Sequence, residues 1–478
     1  MARYEISDPD GTRVPICSWL PPVEIEPAAV EQLRTASGQP DAALSLAVMP
    51  ACHVGFGVTI GSVLPITNAV LPNGVGVDIG CGMSAIAIGV RLDEERKSRD
   101  FWRAWSGSVR RGVPTGFDTQ EVAQPLGTLD RPLRATGLQA VLAEKGPRQI
   151  GTLGGRHHFL EAQVDEDGQL RLMVHSGNRH TGLRIARHYH DLAVEIAGRR
   201  GLTAPDDLAS LPLDDQSGQD YVDDPGWATD FARENRERML AAMVETLFAQ
   251  LERAKVHVPA LDLADRINIH HNFARLETQE GAELMVHRKG ATSAAEGEIG
   301  IIPDGMRSPS HIVRGRGNPD GSRSCSHEAG RTMSRKAGRE AISTGTLVES
   351  LAGTYSKPPP GIIDEAHGVY KDVATVIARQ LDLIEIVHTL RPLITVKGDS
   401  RGRDDWLVAV LPGLNTRAQG RPGVVWHDDM SSPMTSLRVT YGLRVDGAGI
   451  REGSGGGTPD APLSDRHPAS ARRRARNP

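Results

Sequence analysis

Between Ala42 and Val77 the chain carries no Asp, Glu, Lys or Arg. An uncharged stretch of that length has to be covered, either by protein or by lipid. Lipid fails on the residues themselves, because Pro50, Pro65 and Pro72, several glycines, His53 and Asn68 would leave backbone groups unpaired in hydrocarbon. Short buried strands joined by turns remain. Runs such as VTIGSVLPI and, just beyond the block, SAIAIGV set small and β-branched residues between glycines, as strands covered on both faces do.

The block ends on GVGVDIGCG, residues 74–82, which places Asp78 three residues before Cys81 in a glycine turn. A carboxylate and a thiol aimed at one point form a metal-site signature. Histidines follow in glycine or small-residue context: His158 in GGRHHFLE, His175 in MVHSGNR, His271 in INIHHNF and His327 in CSHEAGR. Any one of them alone reads as a satisfied core imidazole. Joined to Asp78 and Cys81, the set can hold one or two divalent ions, and its mixture of donors suits zinc, manganese or cobalt. Adjacent strand residues point to opposite faces, so the pairs His157 and His158, and His270 and His271, are each expected to supply one ligand to a common site. Around His327, SCSHEAGRTMSR reads as a loop feeding a helix. With Arg307, Arg314, Arg316, Arg323, Arg331 and Arg335 close in sequence, it suggests polyanion binding.

A length of 478 residues would admit about three domains. The ligand candidates span Asp78 to His327, which argues for one catalytic unit with inserted segments. The formal charge of −5 gives no global positive field and leaves partners open. Of four cysteines, Cys52, Cys81 and Cys325 sit inside candidate motifs, which fits reduced thiols and a cytoplasmic protein. The start, MARYEISDPDG, lacks the apolar core of a signal peptide.

Periodicity predicts a helix near Ala28–Thr35, a surface helical insertion within Asp100–Arg148, and strands at His157–Val164 and Gln169–His175. It further predicts an amphipathic helix over Ile185–Ile196 and one from Pro225 to about Leu251. The acidic run Asp214, Asp215, Asp220, Asp223, Asp224 reads as a solvated loop, and residues 264–317 as short strands and turns. Ser334–Ser343 and Tyr370–His388 read as helices, the latter before the strand-like LITVKG. The fold class is α+β, a glycine-rich mixed-sheet core around a metal site with helical insertions. Residues 399–445 form an extension of unassigned structure, and residues 446–478, rich in Gly, Pro, Ser and Arg, are expected to be disordered.

MPACHVGFG, GVGVDIGCGM, GTLGGRHHFLE, HSGNR, INIHHN, RKGATSA, VRGRGN, SCSHEAGRTMSR, VYKD and TVKG occur in this order. Over residues 1–398 the chain thereby resembles the RtcB family of RNA-splicing and RNA-repair ligases. The resemblance implies a GTP-dependent enzyme with two manganese ions that joins an RNA 3′-phosphate or 2′,3′-cyclic phosphate to a 5′-hydroxyl, in tRNA splicing or RNA repair, with an archease-type activator as a further partner. It implies metal ligation by Asp78, Cys81, His158, His175 and His271, with Cys81 bridging, and guanylylation of His327. Glu161, Asn272, Arg331, Tyr370 and Lys397 would surround the nucleotide, Glu161 and Lys397 near the guanine.

The chain departs from the family pattern at five positions. Ala51 stands where MPDVH has aspartate, His157 where asparagine precedes the first metal histidine, Glu328 where HGAGR has glycine, and Asp304 where PGSM has glycine; Asn178 replaces a common serine. These define the alternatives: a divergent paralogue with metal-dependent phosphodiesterase or nucleotidyl-transfer activity, or a non-catalytic RNA-end binding protein.

Overall fold

The uncharged block folds into two strands, Leu46–His53 and Ile60–Ile66, buried over nearly their whole length. In this computed structural model the described residues are 3–398, apart from 8–10, 12, 92–97, 156, 202–204, 259 and 357–361. The expectations for residues 399–445 and 446–478 fall outside them.

Both strands belong to a six-stranded sheet in the order Tyr4–Ile6, Ile16–Ser18, Leu46–His53, Ile60–Ile66, Ala282–Lys289, Asn272–Gln279. The pair Ile16–Ser18 and Leu46–His53 is parallel and the other pairs are antiparallel, so this sheet is mixed. A seven-stranded antiparallel sheet runs Ile267–His270, Gly82–Arg91, Gln169–Ser176, Phe159–Val164, Ile384–Lys397, Ser310–Gly315, Ile299–Ile302. The last described strand in sequence thus lies inside that sheet, between two strands made much earlier. The architecture is α+β, as the sequence predicts.

Period-2 alternation gives the seven-stranded sheet two apolar faces. Leu170, Leu172 and Val174 pack with Ile86, Leu160 and Val396 against two helices, Arg99–Gly112 and Gln216–Arg253. Met173 faces the other way, into a cluster with Met83, Phe159, Ile301 and Leu390. The Arg99–Gly112 helix buries Phe101, Trp102, Trp105 and Val109 on one face, and the rings of Trp102 and Trp105 meet edge-on at 5.6 Å. Ser98 caps it by accepting from Phe101 N. It is therefore a core helix rather than a surface insertion: the tryptophans set its position, its arginines are exposed, and Arg110 reaches back to donate to Lys397 O (3.1 Å).

Two further expectations are corrected. The long helix begins at Gln216, not Pro225, and runs through the acidic segment. Asp224 is buried there and accepts from the backbone N–H of Arg134 (2.7 Å) and Ala135 (2.9 Å) and from the Tyr189 hydroxyl (2.8 Å), so one member of the run is a core acceptor and not a solvated charge. After Tyr370 only Val373–Ala378 is helical, and Ile384–His388 opens the long strand, where IEIVH pairs with Ser310–Gly315. The helices expected near Ala28–Thr35 and over Ser334–Ser343 lie close to their bounds, at Pro27–Ser37 and Arg335–Ala341, whereas the one expected over Ile185–Ile196 starts six residues earlier, at Arg179, and ends at Arg199.

Candidate metal centre and nucleotide cavity

Three neighbouring strands end together. Phe159 pairs with His175, which pairs with Met83 on its other side. His158, immediately before Phe159, and Cys81, two residues before Met83, therefore reach the same point as His175. Gly80 N donates to Asn272 O (2.7 Å) and His271 N to Cys81 O (2.9 Å), which stitches the Asp78–Cys81 turn to the segment bearing His271. Gly80 makes that turn at φ +71°, and a Cβ on Gly177 would stand 2.1 Å from Asp78 Oδ1. Gly177 thus makes room for the carboxylate, and Gly80 for the left-handed turn and the close approach of the long helix at Thr229.

The donor atoms fall into two groups that share one sulfur. Asp78, Cys81, His157 and His158 form one, and Cys81, His175 and His271 the other, each with its ligand atoms within 4.8 Å of one another. Cys81 Sγ lies 3.4 Å from His158 Nε2, 3.5 Å from His175 Nε2 and 3.9 Å from His157 Nε2. His158 Nε2 is 3.2 Å from Asp78 Oδ2, and the Nε2 atoms of His175 and His271 are 3.4 Å apart. The His327 ring lies 4.7 Å from that of His271, centroid to centroid.

Burial pushes the imidazoles of His157, His175 and His271 well below their ordinary range, with neighbouring histidines adding to the effect, so these rings are neutral and their lone pairs free to ligate. The Asp78 carboxyl is held low: burial acts against ionisation, and the hydrogen bond and charge of His158 overcome it. Burial and the Asp78 charge push the Cys81 thiol well up. Neutral nitrogens, a carboxylate and a thiol in a buried cluster are a donor set that a divalent cation completes, because a cation removes the penalty on the thiolate.

The structure departs from the one-ligand rule at His157. Its ring turns toward Cys81 together with that of His158, because the strand begins only at Phe159 and the two histidines sit on the preceding turn. At His270 and His271 the rule applies: His270 Nδ1 faces Gly80 O and Arg236, away from the cluster.

Beside this donor cluster lies a small cavity whose lining includes His157, Asp304, Glu328, Glu365, Tyr370 and Lys397. Glu365 accepts from Lys397 Nζ (2.6 Å), Arg335 Nη1 (2.7 Å) and the Tyr370 hydroxyl (2.8 Å). Burial opposes its ionisation, but Lys397 and Arg335 hold its carboxyl well below the usual range. The Arg331 guanidinium lies over the Tyr370 ring at 5.2 Å. Glu161 sits behind the lining, hydrogen-bonded by Thr395 and Gln163, and burial raises it to about 7. Asn272 is placed differently, at the metal turn, donating to Asp78 O (3.3 Å) and accepting from Gly290 N (2.8 Å). Glu365, the hub of the cavity, carries no recognisable motif; the segment IIDEAHG gives no signal for it.

A family model described as tRNA-splicing ligase RtcB matches residues 32–135 and 130–398. The chain belongs to the RtcB family. RNA-splicing ligase RtcB of Escherichia coli K12 is 35% identical over 413 residues, which cover 83% of this chain and all of that protein. RNA-splicing ligase RtcB of Mycobacterium tuberculosis H37Rv is 30% identical, covering 73% of this chain and 96% of that one. The tRNA-splicing ligase RtcB of Aeropyrum pernix is 27% identical, over 73% of this chain and 87% of its own. RtcB membership therefore covers the segment that carries both ligand groups and the cavity. Among the described residues no helix is long and apolar enough to cross a membrane.

Proposed function

We propose that this chain is a GTP- and manganese-dependent RNA ligase that joins an RNA 3′-phosphate, or a 2′,3′-cyclic phosphate after hydrolytic opening, to a 5′-hydroxyl. The observation that carries the reading is the sharing of Cys81 between two donor groups, with His327 packed on His271 at their edge. Asp78, Cys81, His158, His175 and His271 would hold two ions, and His157 is close enough to join the first. Bound there, the ions would neutralise charge on phosphoryl oxygens of nucleotide and RNA.

His327 is the nucleophile in this reading. Burial lowers its imidazole to about 4, with the backbone at Gly290 pulling the other way, so at neutral pH the ring is uncharged and can attack. A nitrogen–phosphorus bond forms to the α-phosphorus of GTP and pyrophosphate leaves. The RNA 3′-phosphate then takes the GMP, breaking that bond and freeing His327. Finally the 5′-hydroxyl attacks the activated end, a phosphodiester forms and GMP departs. Lys397, Arg331 and Tyr370 would bind and orient the nucleotide, and the Glu161 carboxyl would accept from the N–H edge of guanine. An archease-type activator and a cytoplasmic setting belong to the same reading.

The test is to incubate manganese-loaded full-length protein with GTP labelled on the α-phosphate, beside His327→Ala, and look for acid-labile label on denatured protein. Label on the wild type alone supports the reading; no label on folded, metal-loaded wild type overturns it. A second reading, a paralogue that transfers or cleaves phosphoesters without sealing RNA, is favoured by Glu328, whose Oε1 lies 3.6 Å from His327 Nε2 and brings negative charge to the nucleotide's approach. A GTP-dependent sealed RNA product would exclude it.

A further inference from the structure

Arg236, on the inner face of the Gln216–Arg253 helix, is wholly buried, yet among the described residues no carboxylate lies within ion-pair distance of it. Each of its three guanidinium nitrogens nonetheless has a partner. Nε donates to Asn268 Oδ1 (2.9 Å), Nη1 to Gly80 O (2.9 Å) and Ser176 O (2.8 Å), and Nη2 to His270 Nδ1 (3.0 Å). His270 Nδ1 also lies 2.9 Å from Gly80 O, so according to its tautomer it accepts from Arg236 or donates to Gly80 O, and either contact ties it to this cluster of partners.

The three partners of the two Nη atoms are not scattered. Gly80 precedes Cys81, Ser176 follows His175, and His270 precedes His271. One rigid fork thus holds the chain neighbours of all three members of the second donor group, Cys81, His175 and His271. Asn235, the preceding helix residue, holds the same turn from its other side, donating to Gly177 O (3.0 Å) and Ser176 Oγ (3.3 Å). A guanidinium buried without a carboxylate is costly. Here carbonyl dipoles and the nearby Asp78 carboxylate offset part of that cost, although burial still lowers the basicity of the guanidinium.

We infer that Arg236 is a positioning residue for the metal group of Cys81, His175 and His271, fixing the spacing of its three donors. The inference rests on the reading of that cluster as a metal centre. It differs from a purely structural role, in which Arg236 only fastens the helix to the sheet: a fastener supports the whole protein, whereas a positioner sets the affinity and ligand field of one site.

Cobalt separates the two. Full-length metal-stripped protein is titrated with Co²⁺ alone while the thiolate-to-cobalt absorption and the d–d bands are recorded, and thermal unfolding of the metal-free protein is followed in parallel. Wild type is expected to take up two ions. Arg236→Gln is expected to weaken one of them by about 10- to 100-fold and to shift its thiolate band, since partners that orient ligands typically carry that much affinity. Arg236→Lys, which keeps the charge but not the fork, should recover part of it. Should Arg236→Gln fail to fold, Asn268→Ala, which frees Nε alone, is expected to give the same spectral change with a several-fold loss. A folded Arg236→Gln with wild-type affinity and spectrum would overturn the inference, as would equal weakening of both ions in step with the melting temperature. If wild type binds no cobalt, the metal-centre reading fails and this inference with it.

Discussion

Glu328 Oε1 stands 3.6 Å from His327 Nε2, while His327 Nδ1, on the other side of the ring, makes no hydrogen bond of ordinary geometry among the described residues. Ala51 offers no side-chain acceptor nearby. Burial and the neighbouring Glu365 charge raise the Glu328 carboxyl, opposed by His53, Arg331 and Arg335. The carboxyl group in contact with His327 is thus supplied from the adjacent chain position, facing the cavity.

Replacing Glu328 by glycine is expected to speed covalent labelling of His327 by GTP at least about tenfold, because one like charge is taken from the path of the triphosphate; tenfold corresponds to ~1.4 kcal/mol. Glu328→Gln should give part of the gain. Single-turnover labelling rates at saturating manganese check this, and an unchanged or slower rate counts against charge as the obstacle.

Cys81→Ser is expected to lower the affinity for both ions together, whereas His271→Ala should weaken one and spare the other, because only the sulfur belongs to both donor groups. Metal content after gel filtration at graded manganese concentrations gives the answer. Loss of a single ion in Cys81→Ser would show that the sulfur is not shared.

Glu365→Gln should destabilise the protein by roughly 3–5 kcal/mol, since it leaves the buried Lys397 and the half-buried Arg335 without their counter-charge. The pH dependence has a definite sign. A carboxyl held well below its unfolded value contributes stability that is present above about pH 4.5 and declines as the pH falls below it. Wild type should therefore lose melting temperature between pH 5 and pH 3 more steeply than the variant; parallel acid limbs would remove Glu365 from this role.

Asp224→Ala removes one acceptor from two backbone N–H groups and the Tyr189 hydroxyl. A loss of about 3 kcal/mol is expected in urea unfolding, with cobalt absorption at the ligand cluster unchanged. A loss under 1 kcal/mol would show that the segment repacks around the missing carboxylate.

The uncharged block, the DIGC turn and His175 were legible because glycine turns and strand alternation are written locally. The placing of His157 beside His158 was not legible, since the strand expected from His157 starts at Phe159, and its first residue depends on where the neighbouring strand ends, at Ser176. Arg236 was illegible for a different reason: in FARENRERM it is one charged residue among several, and only the packing of the helix on the sheet separates a buried guanidinium from its solvated neighbours. Asp224 was hidden in the same way within an acidic run, and Glu365 within a segment of no marked pattern. Ile384–His388 has an alternation too short to distinguish strand from helix, and pairing with Ser310–Gly315 decides it.

The strand Ile384–Lys397 joins Phe159–Val164 to Ser310–Gly315, so the seven-stranded sheet is two separate fragments until that strand is inserted. During synthesis the ribosome has already released every metal-ligand candidate and His327 before it makes the strand that unites the sheet. A nascent chain stalled before Ile384 would expose two unpaired sheet edges, the kind of surface that recruits chaperones or aggregates. Synthesis of Ile384–Lys397 is consequently the step at which the seven-stranded sheet becomes able to form as one piece.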